Sequence, residues 1–435
     1  MSESVAPRES SVGATENAHD PVTRGLSRRG LFGLAGATVA SAGIGAAAGV
    51  SIDRATIANV PAAASYPFFG KHQAGIVTPA QDRLHFAAFD IPDISRAELR
   101  ELVEDWSYAA NRMTAGLGAG EFGPASGPYD APPDDTGEAL DLPPSGLTIT
   151  FGFGPSLFDS RFGLTSRRPA ALIDLPHFPG DALEDALVGG DVCIQACSDD
   201  PQVAVHAIRN LSRIAFGRAK LRWSQLGFGR TSSTSRAQVT PRNLFGFKDG
   251  TANMRAEDTE TIDSHVWVHG SDGPDWMVGG SYLVTRTIRM TIETWDRASL
   301  REQEAVVGRT KGEGAPLSGG TEFTKPNFET TGRDGTPLIA TDSHVRLAHP
   351  SNLGGVKILR RGYNFVDGND EIGRLNAGLF FMSYQRDPRT QFVPLQLSLA
   401  KNDALNEYTR HVGSGIFAIP PGASNDRPIG AGLFT

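Results

Sequence analysis

Two stretches of this chain carry the same succession of short apolar runs and amphipathic segments, and that succession restricts the fold more than any single residue does. In the first, residues 84–89 read as a buried strand. Ser95-Arg96-Ala97-Glu98 then forms a capping box, a hydroxyl acceptor followed three residues on by an acid. Behind it Leu99, Leu102, Val103, Trp106 and Ala110 fall at helical spacing. Residues 147–151 alternate as a strand, 192–197 are a strand, 201–216 a helix and 221–228 a strand. The order is β-α-β-β-α-β, a ferredoxin-like unit. The second stretch repeats the order in pattern, not in letters. It has a strand over 282–292, a helix over 297–307, and 344–347 and 356–359 around a loop. A strand over 379–384, helices over 391–402 and 403–408, and a last strand over 416–419 follow. The expected class is therefore α+β: duplicated ferredoxin-like domains with antiparallel sheets and helices on one face. They span 66–235 and 236–435, and a leader occupies 1–64.

The 435 residues leave room for two or three domains. Lys and Arg number 41 against 49 Asp and Glu, a net charge of -8, which gives no electrostatic footprint for nucleic acid. The two cysteines, Cys193 and Cys197, share one apolar strand. Four residues of strand span about 13 Å, too far for a disulfide, so both read as buried thiols. In the leader, Arg28-Arg29 precede an uncharged Gly/Ala-rich run over 30–52, the pattern of a twin-arginine export signal. Cleavage is expected near Ala64, with Ala48 as an earlier alternative. The competing reading is a membrane anchor, which Gly33, Gly36, Gly43, Gly45 and Gly49 make weakly hydrophobic. The twin-arginine route moves folded proteins, so a cofactor can be loaded before export.

Near the centre lies Phe245-Gly246-Phe247-Lys248-Asp249-Gly250-Thr251-Ala252-Asn253. Two glycines flank one acid, which sets a carboxylate on a tight turn that another body can approach closely. Read alone, it is more simply an ordinary Asp-Gly turn between strands.

Gly246-Phe247-Lys248-Asp249-Gly250 resembles the GxxDG motif of the dye-decolorising peroxidase family of haem enzymes. Residues 72–76 (HQAGI), 151–156 (FGFGPS), 222–228 (RWSQLGF), 342–347 (DSHVRL) and 359–363 (LRRGY) resemble the same family in the same order. The likeness runs from about Tyr66 to the C-terminus and is nearest to the branch exported by the twin-arginine route. It implies the duplicated ferredoxin-like fold, with a haem b pocket in the C-terminal half near the domain seam. It also implies reduction of hydrogen peroxide coupled to oxidation of one-electron organic donors, bulky dyes included.

Haem iron takes an axial ligand, for which imidazole is suited. Of ten histidines, His19 lies in the leader and His85 in an apolar strand as a satisfied core residue. His177, His206, His265, His269 and His411 have no distinguishing context, which leaves His72, His344 and His349. The resemblance selects His344 as iron ligand. It implies Asp403 as acceptor of the second imidazole N–H, although Asp403 reads equally as a helix N-cap. It implies Asp249 as the distal acid/base and Arg360 as the distal charge stabiliser. Arg361 competes with Arg360, and since neighbours in a strand point to opposite faces, only one of the two can serve. Gly250, Thr251 and Ala252 match the haem-contacting run and Arg309 a propionate-binding arginine. His349, Pro350 and Ser351 match a haem-edge segment in which many relatives carry Asn-Pro-Arg, so Ser351 lacks a cation.

An aspartate titrates at about 3.9 in open solution, so a base of this type implies an acidic activity optimum. Trp267, Trp276, Tyr363 and Tyr408 could serve as surface electron relays, but each reads first as core or turn packing, and none is chosen. The implied partners are hydrogen peroxide, reducing organic substrates and the twin-arginine translocase. A homo-oligomer is compatible, and the location would be periplasmic or extracellular. Rival readings are a deferrochelatase, which releases iron from haem, and a haem-free binding module.

Overall fold

The computed structural model describes residues 65–435; the paired arginines, the apolar run after them and the cleavage sites lie outside the described residues. Among the described residues nine strands form one antiparallel sheet. They are β1 Arg83–Asp90, β2 Thr148–Phe153, β3 Val192–Ser198, β4 Lys220–Arg230, β5 Ser281–Met290, β6 Leu359–Arg360, β7 Tyr363–Asn369, β8 Leu375–Gln385 and β9 Thr409–Ile419. The helices are α1 Arg96–Thr114, α2 Pro201–Ile214, α3 Thr259–His265, α4 Ile292–Trp295, α5 Leu300–Val307, α6 His344–Ala348 and α7 Phe392–Asn402.

The duplication is visible in the strand order. The first half runs β4-β1-β3-β2 and the second β9-β5-β8-β7. In each half this is fourth, first, third, second by chain order. β6 and β7 count here as one strand, because Arg360↔Ser383 and Tyr363↔Phe380 keep a single register against β8. The edges of the two halves then pair with each other, β4 with β7 and β2 with β9. Two expected sheets are thus one sheet closed on itself, which leaves no long strand edge unpaired.

The capping box is formed as expected, with Ser95 Oγ accepting from Glu98 N and Glu98 answering to Ser95 N. It starts α1 with Leu99, Leu102, Val103, Trp106 and Ala110 buried. Trp106 Nε1 donates to Leu211 O at 2.8 Å and ties α1 to α2 over the outer face of the first half. Inside the closed sheet Phe86, Trp223, Phe380, Met382 and Phe417 form a separate core. Full burial of one such side chain stabilises by about 1.5–3 kcal/mol, so two independent cores hold the ring from within and without.

The structure departs from expectation in particular places. β7 and α3 were not anticipated: β7 ends in the exposed polar residues Asp367-Gly368-Asn369 and owes its form to pairing with β8. The helix expected over 297–307 starts only at Leu300, where Ser299 caps α5 by accepting from Glu302 N, and the short α4 precedes it where the strand over 282–292 was expected to end. β9 starts at Thr409, well before the expected 416, on a polar stretch held by β5. Cys193 and Cys197 are free and buried, as read. His85 is not a satisfied core residue: its Nδ1 is buried without a partner, and burial pushes its pKa down to about 4. Trp267, Trp276, Tyr363 and Tyr408 are all buried, so none presents the surface an electron relay of that kind needs.

Candidate active site

The glycine-flanked acid sits where a loop folds back on itself. Arg242 bridges Lys248, and Asp249 N donates to Pro241 O at 2.9 Å. Gly250 takes φ +88, and a Cβ there would lie 2.9 Å from Ser232 Cα, so only glycine fits. Lys248 is ion-paired with Glu322, and Thr251 Oγ1 donates to the other oxygen of that carboxylate at 3.1 Å. Burial works against ionised Glu322, but Lys248, Thr240 and Thr251 together hold its pKa below the ordinary value. Glu322 thereby anchors both sides of Asp249. Nothing in the local sequence marks it, because its partners are distant in the chain.

Asp249 Oδ1 lies 2.6 Å from Arg360 Nη1, and Asn243 Nδ2 donates to Asp249 Oδ2 at 3.3 Å. Strand register decides between the two arginines. Arg360 stands opposite Ser383 on β8, whose face also carries Phe381 beside Arg286 and Leu379 beside Ile288. Arg361 points into the closed sheet. It is fully buried and donates to Thr78 O at 2.6 Å and to Gln81 Oε1.

His344 is the first residue of α6. Its Nδ1 lies 2.6 Å from Asp403 Oδ2, while Asp403 Oδ1 accepts from Leu405 N at 2.9 Å. The two readings of Asp403, imidazole partner and cap of the following turn, are both realised by one carboxylate. Burial pulls the His344 pKa down, but the charge and hydrogen bond of Asp403 outweigh it and the pKa is raised. The proton on Nδ1 leaves Nε2 as the outward atom, and it has no hydrogen-bond partner among the described residues.

The His344 side chain is 35% accessible although protein surrounds it, and it feels the charges of both Asp249 and Arg360. The accessible part of His344 and the acid–guanidinium pair therefore share one neighbourhood. Ile288, Leu379 and Phe381 remain only half-buried on the sheet face that carries Ser383, the partner of Arg360. Ser383 Oγ is buried without a partner on the same face. These apolar residues and Ser383 were not anticipated from the sequence. Cavities of ≈ 490 Å³ beside His206 and ≈ 420 Å³ beside Trp276 contain none of these groups.

At the rim, Arg309 is buried and its Nη1 donates to Gly314 O at 2.7 Å and Glu322 O at 2.8 Å. His349 lies within the field of Arg309 and Lys325; burial first, then these cations, lower its pKa. Its Nδ1 contacts Ser351 Oγ at 2.8 Å, and Ser351 itself is exposed. Pro350 opens the short turn that follows. Ala252 is exposed, and the Thr251 hydroxyl is committed to Glu322.

A family model described as Dyp-type peroxidase, N-terminal, matches residues 73–229, and one described as Dyp-type peroxidase, C-terminal, matches residues 240–424. A dye-decolorizing peroxidase of Thermobifida fusca (strain YX) is 37% identical over 441 residues, covering 95% of this chain and 98% of its own. A deferrochelatase of Escherichia coli (strain K12) is 37% identical over 364 residues, 82% of this chain and 84% of its own. Among solved structures, ferric DtpA from Streptomyces lividans superposes with a TM-score of 0.79 at 40% identity, over 86% of this chain and 98% of that one.

Proposed function

The chain belongs to the Dyp-type peroxidase family, and on that premise we propose that it reduces hydrogen peroxide at a haem b held between His344 on one side and Asp249 with Arg360 on the other. At the coarser level it is an oxidoreductase acting on peroxide, and its cofactor is a haem. One observation supports the arrangement above all others. The Nε2 of His344 is unpartnered, the side chain is partly accessible, and the Asp249–Arg360 pair lies within its electrostatic reach. A flat iron macrocycle fits that donor set: one imidazole lone pair, apolar walls and a cationic rim.

When bound, the haem supplies the iron redox chemistry that splits the peroxide O–O bond. The residues supply the rest. His344 would hold the iron through Nε2, while Asp403 accepts from Nδ1 and would make the imidazole a stronger donor. Asp249 takes a proton from one peroxide oxygen and returns it to the other. Arg360 stabilises the negative charge on the departing oxygen through its guanidinium. In this reading Arg309 and His349 would receive the propionates, and Gly250, Thr251, Ala252, Pro350 and Ser351 would contact the haem edge. An acidic optimum and oxidation of bulky dyes belong to this proposal. So do the division near residue 235, export by the twin-arginine route and a periplasmic or extracellular location.

The test is peroxidase turnover with a small one-electron donor and a bulky dye. Asp249→Asn is expected to lower the rate with peroxide by about 10²–10⁴-fold. Peroxide kinetics equal to wild type would remove the role given to Asp249.

Deferrochelatases stand at the same 37% identity as the dye-decolorizing peroxidase, so release of iron from haem is the second reading. Incubation with haem and assay for iron-free porphyrin separates the two.

A further inference from the structure

β6 is two residues long and pairs with β8 along only one side. On its other side β4 has already left: its ladder with β7 ends at Tyr363, with an irregularity between Phe228 and Arg230, and the last bond from that side is Thr231 N to Gly362 O at 2.8 Å. The N–H and C=O of Arg360 therefore point toward an edge that no strand fills. Asn253 fills it. Arg360 N donates to Asn253 Oδ1 at 2.8 Å, and Asn253 Nδ2 donates to Arg360 O at 2.8 Å. One side-chain amide thus makes the two hydrogen bonds a neighbouring strand would make.

The amide is itself fixed. Asn253 is 8% exposed, its Nδ2 also donates to Ser233 O at 3.1 Å, and its backbone N donates to Gly250 O at 3.0 Å. Arg255 braces the same loop through Ser233 O and Gly250 O. Asn253 lies four residues after Asp249 on one loop. That loop grips Arg360 twice, at the guanidinium through Asp249 and at the main chain through Asn253.

We infer that Asn253 is a positioning residue for the peroxide step, holding the Arg360 backbone so that its guanidinium meets Asp249. Other residues replace it poorly. Aspartate keeps an acceptor but offers no donor to the Arg360 and Ser233 carbonyls, and leucine offers neither. An unfilled edge would free Arg360 to swing, while His344 and the rim cations, on other segments, would keep their places. The inference rests on the role proposed above for Arg360.

The experiment is a double-mutant cycle on the haem-loaded protein with Asn253→Ala, Arg360→Ala and both together, joined to amide hydrogen exchange over residues 358–363. N253A is expected to raise exchange at Arg360 and to lower the second-order rate with hydrogen peroxide ten- to hundred-fold. Haem content and the donor KM should stay as in wild type. In the R360A background, N253A should change the peroxide rate less than twofold, because a positioning residue has nothing left to position. A further ten-fold loss in that background would assign Asn253 a general structural role and overturn the inference. So would unaltered exchange at Arg360 in N253A. If R360A itself leaves the peroxide rate intact, the proposed role of Arg360 falls, and the exchange result alone still decides whether Asn253 holds its backbone. If N253A fails to accumulate, Asn253→Asp carries the same cycle.

Discussion

Asp403 divides its carboxylate between two tasks: Oδ2 meets Nδ1 of His344 at 2.6 Å, and Oδ1 caps the next turn at Leu405 N. The cap fixes the carboxylate, and the carboxylate fixes the imidazole. The orientation of Nε2 is therefore set by a turn 59 residues further along the chain.

Asp403→Asn tests that linkage. The amide can still cap the turn but carries no charge for His344. Haem should remain bound, its reduction potential should move upward, and peroxide turnover should fall by about 10–100-fold, the range for loss of a ligand's hydrogen-bond partner. A potential equal to wild type would show that Asp403 does not tune the imidazole.

Gly250→Ala should be costly at a position that touches no substrate. A left-handed conformation costs an L-residue about 1–2 kcal/mol, before the Cβ meets Ser232 Cα. Urea unfolding should show at least that loss, together with a slower peroxide step as Asp249 shifts. Wild-type stability in this variant would mean the loop is not held as described.

Acid stability should report His85. Burial lowers its folded pKa to about 4, from about 6.5 in the unfolded chain. Between those values the unfolded state binds more protons than the folded one. Its contribution to stability is complete above 6.5 and is lost as pH falls toward 4, at up to about 1.4 kcal/mol per pH unit. His411, held down to about 3 by burial and by Arg286, acts in the same direction and extends lower. His85→Phe should flatten the urea-unfolding free energy between pH 4 and 6.5. An unchanged slope in that interval would exclude His85 as its source.

Glu322→Gln should separate anchoring from chemistry. The substitution removes the partner charge of Lys248 on the loop that carries Asp249. Haem binding through His344 should persist, while the peroxide rate falls by less than in Asp249→Asn. A loss as large as that of Asp249→Asn would place Glu322 in the proton transfer itself.

The duplicated order was legible because each helix announces itself by a cap and a 3.6-residue period, as at Ser95 and Trp106. Closure of the sheet was not, since it depends on edges such as Phe228 and Asn364 meeting across the two halves. β7 escaped notice because its outer positions, Val366 and Asp367, do not sustain alternation. At the site, strand alternation says that only one of Arg360 and Arg361 can serve, the resemblance chooses Arg360, and the register sets the two on opposite faces. Glu322, Ser383 and the partnerless state of His85 depend on what lies opposite in space, which no local pattern records.

The most direct measurement is the visible absorption spectrum of the protein purified with haem supplied, before and after one equivalent of hydrogen peroxide. A haem bound through His344 beneath Asp249 and Arg360 predicts a strong Soret band that changes within seconds of mixing and returns when an electron donor is added. A colourless protein, or a Soret band that peroxide leaves untouched, would contradict it.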